Sequence, residues 1–217
     1  MEIGGHYPGK SANPRHTTTS MNTPTPPSDL QHGLRQATKH LHRLLDHHPL
    51  LQPLLRKDIN ERAYGDALAA LHGVHAQCET LAGAYLAHQP DQFELAPRQH
   101  WLLADLQALG RAPWQPGRRL QLPPIDSSAQ LVGLLYTLEG SGLGGQHICQ
   151  HLRQTGLTLP MRFFDGFGVL AAQRWADFWQ FAHRHCAPNQ QIQALSSAQA
   201  LFHEVRKHLD MCCEEYQ

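Results

Sequence analysis

The sequence predicts an all-α, single-domain fold, and three observations carry that reading. From Ser28 onward apolar residues recur at intervals of three and four, and no segment alternates with the period of two that a strand needs. Ser, Asp, Pro and Gly stand where such helices would start and stop. The 217 residues, 41% of them apolar, are enough for one well-buried core.

Residues 1–27 are rich in Pro, Thr, Ser, Asn and Gly and lack hydrophobic periodicity, so they read as a disordered tail, with Met21 as an alternative start. The helical domain takes up 28–217. Ser28 or Asp29 caps a first helix that runs to about His48, before Pro49; Asp58 caps a longer one reaching about His88. Pro97 fits the first turn of a third helix ending at Gly110. A Pro-rich linker from Arg111 to Pro124 follows. Asp126 or Ser127 opens a glycine-containing helix, another runs from about Gly168 to Cys186, and Asn189 opens the last.

Eighteen basic residues balance eighteen acidic ones, which gives no electrostatic basis for nucleic acid or an anionic membrane as the main partner. No apolar run approaches the roughly 18 residues of a membrane span and no signal peptide is visible. Five cysteines with no Cys-x-x-Cys spacing fit a reducing cytoplasm.

The segment Glu139-Gly140-Ser141-Gly142-Leu143-Gly144-Gly145 sets four glycines where both flanks are helical. In a helix interior each costs about 1 kcal/mol relative to alanine, so the four cost about 4 kcal/mol, a large share of a domain's net stability. Close approach of the bare backbone to a flat ligand would offset that cost, as would a small-residue packing seam or a loop between two helices. A phosphate cradle is the weakest reading, because no strand leads in and no Gly-Lys-Ser/Thr follows. Gly133, about three turns from Gly144, reads as packed against protein, where alanine is expected to be nearly neutral.

The first helix carries Leu34, Ala37, Leu41, Leu44, Leu45 and His48 on its apolar face, with His42 at the edge. His42 and His48 are thus the inward candidates for a ligand, each set against the commoner role of a hydrogen-bonded histidine. Arg35 shares nearly the stripe of His42, about 10 Å along the axis. That pair suits the metal and an edge carboxylate of one flat macrocycle, while Arg35 alone reads equally as a solvated charge.

These residues carry a family resemblance. Leu34-Arg35-Gln-Ala-Thr38-Lys-His-Leu-His42-Arg-Leu-Leu45 resembles the proximal helix of heme oxygenases, and Tyr136-Thr-Leu-Glu139-Gly140-Ser141-Gly-Leu-Gly144-Gly145 resembles their distal helix. Leu103 to Gly110 and Arg162 to Gly168, followed by Trp175 and Phe178, keep the order of the bacterial biliverdin-producing branch associated with phytochromes. The resemblance implies a helical bundle with heme between proximal and distal helices. It makes His42 the axial metal ligand and lays Gly140 and Gly144 over the distal face, with Arg35 and Arg174 at the propionates. It implies that heme is cofactor and substrate, opened with dioxygen and an external electron donor to biliverdin, carbon monoxide and ferrous iron. Ferredoxin, flavodoxin or a flavin reductase is the donor expected, and a bacterial phytochrome the acceptor of biliverdin that the resemblance suggests.

Vertebrate members have an aspartate where this chain has Ser141, so Glu139 or added water is the expected substitute in the proton route. Tyr136 is expected one layer behind the heme edge. His72 and His75 are expected in core or surface roles, His183, His185, His203 and His208 on the surface, and Trp175, Phe178 and Trp179 in the core. Two other functions share this architecture: a non-catalytic heme-binding or trafficking protein using His42, and a thiaminase-type enzyme using Cys149, which otherwise reads as a buried structural thiol.

Overall fold

The computed structural model describes residues 28–89 and 93–216, all helix and connecting turns with no strand among them. The expected tail, 1–27, lies outside the described residues. Seven α-helices follow in order: α1 (Ser28–Asp46), α2 (Glu61–Leu86), α3 (Arg98–Ala108), α4 (Ser128–Arg153), the single turn α5 (Arg162–Asp165), α6 (Ala171–His185) and α7 (Gln191–Tyr216). Short 3-10 turns at Gln52–Leu55, Gly168–Leu170 and Pro188–Gln190 link them.

Local chemistry fixes most boundaries. Ser127 Oγ accepts from the Gln130 N–H while Gln130 Oε1 accepts from the Ser127 N–H, a complete capping box. α2 is capped by Asn60, whose Oδ1 accepts from Ala63 N at 2.9 Å, and not by Asp58. Asp58 is instead held by Arg56 through bonds of 2.9 and 2.6 Å. Pro97 sits at the cap position of α3, one residue earlier than expected. Gly110 closes that helix with φ +66°, a conformation side chains resist. The expected start at Gly168 belongs to a 3-10 turn, and α6 proper begins at Ala171.

α7 is the spine of the fold, packed along both α1 and α4. One apolar cluster joins Leu30 and Leu34 of α1, Leu131 and Leu135 of α4, Phe178 of α6 and Leu201 and Leu209 of α7. A second joins Tyr64 and Leu68 of α2 to Leu102 and Leu106 of α3, Leu152 of α4 and Phe164 of α5. Phe178 and Trp179 are core, as expected.

Two expectations fail here for reasons of packing. A Cβ at Gly133 would stand 2.1 Å from the Ala194 carbonyl oxygen and 2.9 Å from Ala198 N, so this glycine is what lets the backbones of α4 and α7 touch, and alanine there is not neutral. His208 is buried instead of exposed, its Nε2 2.9 Å from the Ala70 carbonyl oxygen, because α7 is covered on that face by α2.

Candidate functional site

α1 and α4 face each other across a cavity of about 490 Å³, within the range of small-molecule and cofactor sites. α1 contributes His42, Leu45 and Asp46, and α4 contributes Gly140, Ser141 and Gly144. Leu201, Phe202 and Val205 of α7 form a floor; Leu71, Val74 and His75 of α2 and Phe163 and Phe164 of α5 form a deep wall. The lining is mostly apolar, with a few polar groups converging from different elements.

His42 follows buried Leu41 and stands at the rim of the apolar face, its side chain 62% exposed. Its ring lies 5.5 Å from that of Phe202, and its Nδ1 is 3.4 Å from Asp46 Oδ1, one turn on. With Nδ1 facing a carboxylate, Nε2 is the nitrogen left for another partner. His48, the second inward candidate, is spent on structure. It is buried, its Nδ1 accepts from Leu50 N at 3.2 Å, and its Nε2 lies 3.2 Å from Asp210 Oδ1.

The four glycines of α4 differ in purpose. A Cβ at Gly144 would meet nothing within 4 Å, and one at Gly140 only ordinary contact with Trp175 at 3.7 Å. At Gly142 it would fall 2.4 Å from Arg98 Nη2, and at Gly145 3.1 Å from the Phe164 carbonyl oxygen. Gly140, Gly144 and Gly145 line the cavity, Gly145 also admitting α5, whereas Gly142 admits a buried arginine.

That arginine organises the back of α4. Arg98 donates through Nη1 to the Leu138 carbonyl at 2.7 Å and to Ser141 Oγ at 3.0 Å, and Nη2 lies 3.4 Å from Glu139 Oε2. Ser141 Oγ in turn donates to the Leu138 carbonyl at 2.7 Å. Glu139 accepts from Arg174 Nε at 3.1 Å and Nη2 at 3.0 Å. Arg174 also donates to the Glu94 carbonyl and lies over the rings of Phe93 and Phe167. The structure brings neither Glu139 nor Arg174 into the cavity lining: each satisfies the other behind α4.

Arg35 does lie at the cavity's edge. A groove of about 440 Å³ along α1 is lined by Arg35, Thr38, Lys39 and Arg43 and shares His42, Asp46, Tyr136 and Trp175 with the main cavity. Tyr136, expected one layer back, is itself a wall residue, its hydroxyl 3.5 Å from Thr38 Oγ1. Cys149 is outside the lining and 1% exposed, its Sγ 3.7 Å from Asp165 Oδ1. Burial pushes its thiol up, away from the thiolate a nucleophile needs.

A family model described as heme oxygenase matches residues 28–210, from α1 into the last turns of α7. The chain belongs to the heme oxygenase family. Among solved structures it is similar to the heme oxygenase of Neisseria meningitidis, whose NO- and CO-bound forms were determined with oxygen activation in view. The TM-score is 0.68 at 18% identity, over 85% of this chain and 92% of that one, a likeness of fold. No curated protein matches the sequence. Among the described residues no helix is long and apolar enough to cross a membrane.

The heme oxygenase match takes in every wall of the cavity. The groove also brings in residues that the motifs do not single out: Lys39 and Arg43, one and two turns after Arg35, and Asp46, one turn after His42. The i, i+4 rule was enough to find them. Phe202 and His75 carried no such signal, because only tertiary packing brings α7 and α2 to the cavity.

Proposed function

We propose that this member of the heme oxygenase family opens heme to biliverdin, using dioxygen and electrons from outside, with release of carbon monoxide and ferrous iron. The observation that carries the reading is the pairing, across one apolar cavity, of a histidine with a free Nε2 on α1 and a bare backbone at Gly144 on α4. The residues present fit the group: a mostly apolar cavity, an exposed imidazole on α1, and cations along the adjoining groove. Heme held there would supply both the iron and the ring that is opened.

The chain's own residues have separable tasks. His42 would hold the iron, with Asp46 fixing its ring through Nδ1. Arg35 and Lys39 would hold edge carboxylates by charge. Gly140 and Gly144 keep the facing wall free of side chains, leaving room for a small ligand and ordered water. Leu45, Phe202 and Val205 line the cavity with apolar surface and would limit bulk water around the bound group. Glu139 and Arg174 hold the wall itself in shape.

A ferredoxin, flavodoxin or flavin reductase is the proposed donor, and the open basic edge at Arg35, Lys39 and Arg43 supports approach of an acidic carrier there. The phytochrome-associated role rests on the sequence motifs. Buried Cys149, outside the cavity, gives the thiaminase-type reading no support. The test is to add hemin to the purified protein, record the spectrum, then supply reductant under air. A bile-pigment band is expected; a stable heme complex that never turns over would leave the trafficking reading, and no binding would end both.

A further inference from the structure

The main cavity has two ends of opposite character. At one it meets the groove of Arg35, Lys39 and Arg43, with Tyr136 shared between the two. At the other, about 16 Å further along α4 at 1.5 Å per residue, His147 stands at an exposed rim with Gly144 and Leu55. No Lys or Arg lines the main cavity. A divalent cation set free inside it is therefore repelled from the groove end and not from the far end. Two of the lining imidazoles have a carboxylate on Nδ1, His42 facing Asp46 and His75 facing Glu79, each at 3.4 Å. His147 is the lining imidazole that no role above uses.

His151 follows one turn beyond His147 on the same helix, outside the cavity lining. Positions i and i+4 bring Cβ atoms to about 5–6 Å from each other, the spacing at which two helical imidazoles chelate one ion. His151 is half-buried and its Nε2 has no hydrogen-bond partner, so the fold does not spend that nitrogen on structure. It stands in the last turn of α4, where the helix dipole adds partial negative charge that favours a cation. Arg153, at the end of the same turn, is paired with Asp165 at 2.9 Å.

We propose that His147 and His151 form a two-imidazole site for a first-row divalent cation, and that this site receives ferrous iron leaving the cavity at the end away from the groove. The inference rests on the heme reading for the identity of the ion, but not for the binding of one. Imidazole nitrogen is a ligand type that suits iron, nickel, copper and zinc alike. Among the described residues no group of three or more His, Cys, Asp or Glu is placed to hold a metal ion, so the two imidazoles and solvent make up the shell. Such a shell binds reversibly, as a stop on an exit route requires. His147 takes the ion at the rim, and His151 draws it outward along α4.

Two measurements keep the site and its role apart. In hemin-free protein without an affinity tag, Ni2+ serves as an air-stable probe in a calorimetric titration. One site is expected that is missing from the His147→Gln/His151→Gln double variant. Each single variant should weaken it by at least about tenfold, the loss seen when even an outer-shell partner is removed from a metal site. In NMR spectra Ni2+ should broaden the ring signals of His147 and His151 before those of the other histidines. Equal Ni2+ binding by wild type and double variant, an adventitious ion only, overturns the site whether or not hemin binds. In the hemin complex, a single turnover is followed by two signals, the bile-pigment band and the colour of a ferrous chelator in solution. His151→Gln, which leaves the cavity lining intact, should lengthen the delay between them severalfold. An unchanged delay overturns the role in iron release even where Ni2+ binding is lost. A wild type that never turns over removes the source of iron and with it that role, while the Ni2+ site stands or falls on the calorimetry.

Discussion

At His42 the phase of one helix and the position of one motif coincide, and the structure adds a carboxylate on its Nδ1. His42→Ala is expected to lose the axial-nitrogen spectrum of the hemin complex and most turnover, while His48→Ala should spare the spectrum and lower stability, because His48 ties α1 to Asp210 of α7. Absorption spectra of both variants with hemin decide between them. Arg35→Glu should weaken hemin binding or alter the mixture of biliverdin isomers by repelling a propionate at the groove; titration and product chromatography read this. His42 and Arg35 were legible because one helix positions both. Arg174 was not, since its placement depends on a buried carboxylate 35 residues earlier in the chain that only the folded packing of α6 on α4 reveals.

α4 does two jobs along one length, and its glycines separate them. Gly144→Leu should keep the fold, since no atom lies within 4 Å of the new Cβ, yet fill the cavity and remove most ring opening. Single-turnover decay of the heme absorption checks it. Gly133→Ala should destabilise by about 1–3 kcal/mol, the usual range for overpacking, because the methyl meets the Ala194 carbonyl and the α7 backbone. Chemical denaturation measures it. Glu139→Gln should lower stability by several kcal/mol, since buried Arg98 and half-buried Arg174 lose their counter-charge. The glycine cost computed from sequence pointed to close approach, but not to what approaches: ligand space at Gly144, a guanidinium at Gly142, a carbonyl at Gly145 and a whole helix at Gly133. Propensity is local; contact across α7 is not.

Across the molecule, several histidines are held neutral by full or partial burial. His48, His72, His75 and His208 all have pKa values lowered in the fold, with burial the largest cause. A histidine whose folded pKa lies below its unfolded 6.5 leaves the unfolded chain binding more protons in acid. Stability should therefore be full above about pH 7 and fall as pH drops through 6.5 toward the folded values, by up to about 1.4 kcal/mol per pH unit for each such group. Melting curves at pH 7.5 and 5.5 test the sign. The all-helical class and the order of helices were legible because periodicity and caps are local signals; the burial of His208 was not, as it depends on which face of α7 meets α2. The dependence of the cavity floor on α7 also bears on the nascent chain. Leu201, Phe202 and Val205 leave the ribosome about 160 residues after His42, roughly 10–30 seconds later at common elongation rates. Until then α1 has no partner for its apolar face, so a chain stalled before α7 should be a client of chaperones and unable to capture heme, and ligand loading has to follow translation.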